Sequence, residues 1–148
     1  MVSIGSIQLP DFPLLLAPME DVSDPPFRAV CKDNGADLMY TEFISSEGLI
    51  RDAMKSKQKL DIYDYERPIG IQIFGGDEEA MSLCTKIVDA VNPDLIDINF
   101  GCPQDKEISQ KTCAALIREP ELAGEIILAT LKGSSSPTSQ TIEYEKLG

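Results

Sequence analysis

Segments that are typical of strands alternate with segments that are typical of helices along most of this chain. Each apolar run precedes a longer stretch typical of a helix, which is polar in the second pair, and one such pair takes about 25–30 residues. Regular alternation of this kind indicates parallel βαβ units with right-handed crossovers, whose strands are expected to be apolar on both faces because helices cover them. The predicted strands are residues 14–17, 38–41, 69–74 and 95–99, and the predicted helices are about 23–34, 46–57, 78–91 and 119–131.

Four βα units are half of an eight-stranded barrel, which needs about 200 or more residues. The chain has 148 residues, and after the last predicted helix it becomes rich in Ser, with the composition of a linker and no recognisable fifth strand. We therefore predict an α/β fold, a partial (β/α)8 TIM barrel of about four N-terminal βα units. The barrel domain is expected to cover residues 1–131, and a divergent, poorly ordered tail residues 132–148.

Composition excludes several classes of function. The net charge of −12 argues against binding of a nucleic-acid phosphate backbone by this segment alone. The absence of His excludes Ser-His-Asp and Cys-His mechanisms and His-based metal sites. Four Cys residues form no C-x-x-C pair and follow no zinc spacing, so we predict no metal site. The N-terminus does not resemble a signal peptide and no apolar run reaches a membrane-spanning length, so the prediction is a cytoplasmic protein without disulfides.

Cys102 is the candidate catalytic residue. It follows the fourth predicted strand in the sequence Asn99-Phe100-Gly101-Cys102-Pro103, and catalytic groups in barrels and open α/β folds lie at the carboxyl ends of strands. An ordinary thiol is mostly protonated at neutral pH and can donate a proton without activation. The alternative is a small buried cysteine at a strand end, since free Cys is among the most buried residue types. Cys31 and Cys84 lie in predicted amphipathic helices, where we expect them in the core.

Polar residues also follow or interrupt the other predicted strands. Gln72 lies among isoleucines, where a primary amide needs hydrogen-bond partners, and its donor and acceptor suit the edge of a heteroaromatic ring. Asn99 can hold an amide-like substrate through one donor and one acceptor. Glu42 either bonds a ligand or caps a helix, and the sequence leaves Asp94 and Asp97 without a clear role. A planar ligand can approach the stiff segment Pro18, Met19 and Glu20, which is otherwise a plain turn.

Four blocks of sequence together resemble the tRNA-dihydrouridine synthase family. They are LAPMEDVSDPPFR at 16–28, TEF at 41–43, IQIFG at 71–75 and DINFGCP at 97–103. The order and spacing of the blocks fit the family from about residue 5 to residue 103, and weakly to residue 131. The resemblance implies a flavin-dependent TIM barrel that reduces uridine in tRNA to 5,6-dihydrouridine, with FMN as the bound cofactor and NADPH as the reductant.

The same resemblance assigns roles to the candidate residues. Residues 18–20 would lie along the FMN, Gln72 would bond its ring system, and Asn99 would help to hold the flipped-out uracil. Cys102 would be the general acid that protonates the carbon next to the one that receives hydride. The partner is then tRNA, and the open sheet edges of half a barrel predict self-association.

Two other functions remain open from the sequence. Another FMN-dependent TIM-barrel oxidoreductase that acts on free pyrimidines would carry a similar strand end. A non-catalytic remnant or interaction module would account for the missing half of the barrel and the Ser-rich tail.

Overall fold

A computed structural model describes residues 1–102 and 112–141, apart from the side chains of residues 140 and 141. The strands are β1 (Val2–Ile4), β2 (Ile7–Leu9), β3 (Leu15–Leu16), β4 (Leu38–Tyr40), β5 (Ile44–Ser45), β6 (Ile69–Phe74), β7 (Leu95–Asn99) and β8 (Thr138–Thr141). The helices are α1 (Pro25–Asp33), α2 (Ser46–Ile50), α3 (Met54–Gln58), α4 (Glu78–Asp89) and α5 (Pro120–Gly133), with short 3-10 helices at Asp64–Glu66 and Cys113–Arg118.

The predicted α/β architecture is confirmed. One sheet contains β3, β4, β6, β7 and β8 side by side in sequence order, and every neighbouring pair is parallel. The short strand β5 pairs with β6 beyond the end of β4. Strands that follow one another in space as they do in sequence, separated by helices, are the arrangement of a TIM barrel. The described residues form an open part of such a barrel and do not close it.

The sequence shows no recognisable fifth strand, yet the structure has one in the parallel sheet. β8 lies within the Ser-rich segment and pairs with β7 along its length, so that Ser139 is opposite Asp97. Thr, Ser and Gln give no apolar pattern, so the sequence does not indicate this strand. Its pairing with β7 specifies it. The division of the chain into a domain over 1–131 and a tail over 132–148 stays a prediction, although the strand pairing extends past that boundary.

The two faces of the sheet differ, which corrects the expectation that both would be apolar. The outer face presents Ile71, Ile73, Ile96 and Ile98, all buried against side chains of α4, α5 and the second 3-10 helix. On the inner face, Leu38, Tyr40 and Leu95 pack with Leu9 of the N-terminal hairpin formed by β1 and β2. Further toward the carboxyl end the inner face becomes polar, with Gln72, Asp97 and Asn99 all buried.

Two helices differ from the expectation. The predicted helix at 46–57 is two short helices, α2 and α3, joined through Asp52, which has a positive φ of 64°. In α1, Cys31, which we expected in the core, is only partly buried, and Phe27 and Val30 are exposed, whereas Arg28 is buried. Cys84 of α4 is fully buried, as expected of a core residue, and burial raises its pKa to about 12.

Arg28 and Glu66 form a buried ion pair, which we call the anchor pair. The guanidinium Nε donates to Glu66 Oε1 at 2.8 Å, and Nη2 donates to Glu66 Oε2 at 3.2 Å. Nη1 also donates to the carbonyl oxygen of Ser23, and Nη2 to that of Asp61, each at 2.8 Å. These bonds fasten α1 to the segment that leads into β6.

Among the described residues, the longest apolar helical stretch falls short of what a membrane crossing requires.

Candidate active site

The candidate site lies at the carboxyl edge of the parallel sheet. Because β6 and β7 run in the same direction with Gln72 opposite Asp97, their ends at Phe74 and Asn99 are neighbours. Cys102 follows the end of β7 by three residues and is partly buried. The thiol is therefore carried at the edge where the sequence predicted it, while Pro103 lies outside the described residues.

Three buried polar side chains and one serine form a continuous set of hydrogen bonds, which we call the amide network. Gln72 Nε2 donates to Asp97 Oδ2 at 2.7 Å, and Asn99 Nδ2 donates to Gln72 Oε1 at 3.0 Å. Ser139 Oγ donates to the other carboxylate oxygen of Asp97 at 2.5 Å. The network thus joins β6, β7 and β8 on the inner face of the sheet.

The amide network also holds the loop that carries the thiol. Asn99 Oδ1 accepts hydrogen bonds from the backbone N–H groups of Gly101, at 2.8 Å, and Cys102, at 3.1 Å. A carbonyl oxygen has two lone pairs, so these two bonds use the acceptor capacity of Asn99. The prediction that Asn99 offers a ligand both a donor and an acceptor is therefore wrong for this arrangement, since its remaining group is an amide N–H.

Tyr40 lies beside this network on the inner face. Burial is the main reason that its pKa is raised to about 12, and the charge of Asp97 raises it further, against a lowering by a hydrogen bond with Ser139. The phenol is therefore protonated at neutral pH. Its ring packs over Gly70, where an added Cβ would lie 2.7 Å from a ring carbon, so Gly70 gives the ring its place.

The segment Pro18, Met19 and Glu20 follows β3 at the same edge of the sheet. Ser23 fixes its shape, because Ser23 Oγ accepts from the N–H of Met19 at 2.7 Å and donates to the Met19 carbonyl at 2.8 Å. Pro18 and Met19 are partly buried and Glu20 is exposed. The turn is thus a fixed backbone wall with an acidic side chain at its end.

A second polar group forms around Glu20 and Glu42. Lys59 Nζ lies 2.6 Å from both carboxylate oxygens of Glu20 and donates to the Phe43 carbonyl at 3.2 Å. Glu42 Oε1 accepts from the backbone N–H of Asp21 at 2.7 Å. Carboxylate oxygens of Glu20, Asp21 and Glu42 lie within 4.8 Å of one another. Glu42 thus holds the turn after β3 rather than capping a helix.

The structure therefore brings the predicted residues together in two sets. Gln72, Asn99 and Cys102 belong to the amide network and the loop that it holds, whereas Glu20 and Glu42 belong to the second group. Sequence reasoning missed Ser139, Lys59 and Tyr40 and left Asp97 unassigned. The available signal for Asp97 was its spacing of two residues from Asn99, which places both side chains on one face of a strand. Lys59 gave no comparable signal.

Comparisons with known proteins agree with this architecture. The sequence model of the dihydrouridine synthase (Dus) family matches residues 15–143. Similar curated proteins include a probable tRNA-dihydrouridine synthase of Aquifex aeolicus, 36% identical over 139 residues, which are 90% of this chain and 44% of that protein. Another of the same description, from Treponema pallidum, is 38% identical over 129 residues, 86% of this chain and 38% of that protein.

A third relative, tRNA-dihydrouridine synthase B of Pseudomonas aeruginosa, is 34% identical over 143 residues, which are 96% of this chain and 42% of that protein. The chain thus spans less than half the length of these relatives. The family match covers β3 to β8 and with them the amide network, the turn after β3 and the Cys102 loop. On this match, the chain belongs to the dihydrouridine synthase family.

Proposed function

We propose that this chain provides the catalytic half-site for the FMN-dependent reduction of uridine to 5,6-dihydrouridine in tRNA, with NADPH as the reductant. The observation that carries the proposal is the loop of Cys102, whose backbone N–H is held by Asn99 at the carboxyl end of β7. That loop and the amide network lie within the segment that matches the family. A cytoplasmic location, where tRNA is available, belongs to the same proposal.

The residues present fit a flavin and a pyrimidine. Gln72 has one amide N–H and one lone pair beyond its bonds to Asp97 and Asn99, and Asn99 has one N–H beyond its bond to Gln72. Flavin and uracil both carry carbonyl oxygens that accept such N–H groups. We assign Gln72 to the flavin ring, Asn99 to the uracil, and the wall of Pro18, Met19 and Glu20 to the side of the flavin.

Cys102 is the proposed general acid. Once bound and reduced by NADPH, FMN would supply the hydride for one carbon of the uracil 5,6 double bond. The neighbouring carbon then needs one proton, which we assign to the Cys102 thiol. The N–H bonds from Gly101 and Cys102 to Asn99 hold the backbone of the thiol in a fixed position, so little reorganisation is needed when the proton moves.

The acidic character of the chain limits how tRNA is bound. The net charge is −12, and Glu20, Asp21 and Glu42 lie together at the site edge. Phosphate contacts require Lys and Arg clusters, so we expect tight binding of tRNA to need further protein surface. We propose that self-association through the sheet edges at β3 and β8 supplies part of that surface. Size-exclusion chromatography of the chain tests this by its oligomeric state.

The test is purification of the chain followed by flavin titration and an assay with tRNA and NADPH. We expect the chain to bind FMN, and we expect Cys102→Ala to abolish dihydrouridine formation while flavin binding stays within about twofold, because the thiol gives a proton and not binding energy. Cys31→Ala is the matched control, since Cys31 is a partly buried cysteine of α1 outside the site.

Three results would contradict the proposal. Full activity of Cys102→Ala would refute the assignment of the proton donor. Reduction of free uracil without reduction of tRNA would favour the oxidoreductase of free pyrimidines. A folded chain that binds no FMN would favour a non-catalytic module.

A further inference from the structure

The amide network has two ends that set the direction of every hydrogen bond in it. At one end, two backbone N–H groups donate to Asn99, so the atom that faces them is the amide oxygen and the amide nitrogen faces Gln72. At the other end, Asp97 accepts from Gln72 and from Ser139. A carboxylate only accepts, so it requires the amide nitrogen of Gln72 to face it.

We propose that Asp97 is a positioning residue that fixes the orientation of the Gln72 amide, so that its oxygen faces the Asn99 amide nitrogen, which the Cys102 loop holds in place. The inference rests on the proposed function, in which Gln72 and Asn99 bind flavin and uracil. With Asp97 in place, the Gln72 oxygen is turned to Asn99, and Asn99 presents only an N–H beyond the network. The substrate edge at Asn99 is then a carbonyl, and an amino group there would meet another donor.

Burial makes this orientation consequential. Gln72 is fully buried, Asp97 is 1% exposed and Asn99 is 8% exposed. Water cannot readily replace a lost partner at such positions, so each group depends on its neighbour for satisfaction. Without an acceptor at position 97, only Asn99 Nδ2 holds the Gln72 amide in its orientation, and its buried N–H has no partner in the network.

The test uses the whole chain labelled with nitrogen-15 and follows the side-chain amide protons of Gln72 and Asn99 by NMR. We expect Asp97→Leu to speed hydrogen exchange of the Gln72 amide by about tenfold or more, which is the loss of one buried hydrogen bond. The effect is expected to be smaller at Asn99 and smallest at the Cys102 N–H.

Asp97→Asn is the conservative variant. Its oxygen can still accept from Gln72 while its nitrogen donates to Ser139 Oγ, so we expect the Gln72 exchange rate to return to within about twofold of the unmodified chain. Asp94→Asn is the matched control. Asp94 precedes the other end of β7 and accepts from Arg67 Nη1 at 3.0 Å and the Ile69 N–H at 2.8 Å, and its loss should leave both amides unchanged.

Two outcomes would overturn the inference. One is an unchanged Gln72 amide in Asp97→Leu, and the other is an equal disturbance by Asp94→Asn, which would indicate general loosening. If Asp97→Leu does not fold, a scalar coupling across the bond from Gln72 Nε2 to Asp97, sought in the unmodified chain, decides the matter by its presence or absence.

FMN titration separates this inference from the proposed function. We expect Asp97→Leu to weaken FMN binding by about tenfold, the equivalent of one misplaced hydrogen bond, and Asp97→Asn to restore it. Failure of the unmodified chain to bind FMN would refute the proposed function, while the amide exchange rates would still decide whether Asp97 orients Gln72.

Discussion

The anchor pair and the amide network are both buried and polar, yet they are built differently. In the anchor pair, Arg28 distributes its donors over Glu66 and two backbone carbonyls, and Glu66 also accepts from the Tyr63 N–H at 2.9 Å. In the amide network, neutral amides run from Asp97 to the Cys102 loop, and each amide keeps an N–H beyond its bonds within the network.

The difference bears on what each network can do, since the anchor pair joins parts of the fold and the proposed binding role falls to the amide network. Four of the five Arg28 N–H groups bind Glu66, Ser23 and Asp61, and both charged side chains are buried, so the anchor pair serves to join α1 to the chain before β6. A buried neutral amide that loses a hydrogen bond costs less free energy than a buried charge that loses its partner. Gln72 and Asn99 each also have one N–H left for a ligand. Arg28 is the last residue of the sequence block at 16–28 that resembles the family, but its contacts are those of a structural residue.

The largest expected effect follows from breaking the anchor pair. Glu66→Gln leaves the buried Arg28 guanidinium without its counter-charge, and we expect the free energy of unfolding to fall by about 3–5 kcal/mol in urea denaturation. FMN affinity per folded molecule should not change.

Glu47→Gln is the control for this prediction. Glu47 pairs with Arg51 on the surface of the chain, and such exposed pairs contribute about 0–1 kcal/mol. A loss from Glu66→Gln no greater than the loss from Glu47→Gln would show that the anchor pair does not stabilise the fold.

A smaller loss of stability is expected from breaking the amide network. Gln72→Leu keeps a side chain of similar size but removes the partner of Asp97 and of Asn99, so we expect a loss of about 1–3 kcal/mol. FMN binding should fall by about tenfold or more. The control is Gln58→Leu at the exposed end of α3, where the change should stay within about 0.5 kcal/mol. Retained FMN affinity in Gln72→Leu would contradict the assignment of this amide to the flavin.

The smallest loss of stability is expected at Asp89, a half-buried carboxylate that, like Asp97, accepts a hydrogen bond from a serine hydroxyl. Asp89 accepts hydrogen bonds from Ser134, Ser135 and Ser136, and the bond from Ser134 is the main reason that its pKa is lowered from 3.8 to about 2. A lowered pKa means that the folded state favours the carboxylate. The stabilisation is therefore present above pH 3.8 and is lost as the pH falls toward about 2.

Asp89→Asn tests this prediction. The variant should lose the part of the pH dependence of unfolding that lies in this window, measured by urea denaturation at a series of acidic pH values. An unchanged acid profile would mean that the Ser residues do not bind the carboxylate in solution. The same variant also tests whether this contact holds the segment that leads into β8.

Much of the fold could be predicted because the central strands carry their own pattern. β6 and β7 begin and end where the apolar runs do, and α4 begins after Asp77, whose side chain accepts from the Ala80 N–H. The hairpin of β1 and β2, the split between α2 and α3, and β8 were not predicted. These are short segments, and pairing or packing with distant residues decides their conformation.

The candidate site was predictable only in part for the same reason. Gln72 and Asn99 are unusual residues for buried strand positions, so the sequence marks them. Their contact at 3.0 Å depends on the register of β6 against β7, and the contribution of Ser139 depends on a strand that begins about 40 residues after β7 ends.

The sequence by itself determined the alternation of strands and helices, the position of Cys102 after a buried strand, and the family to which the chain belongs. Only the tertiary structure decided that Asp97 orients Gln72 and that the Asn99 oxygen accepts from the Cys102 loop. It also decided that Arg28 forms a structural ion pair. The physical reason is that local propensity acts along the chain, whereas the direction of a hydrogen bond depends on which donors and acceptors are brought together from separate strands.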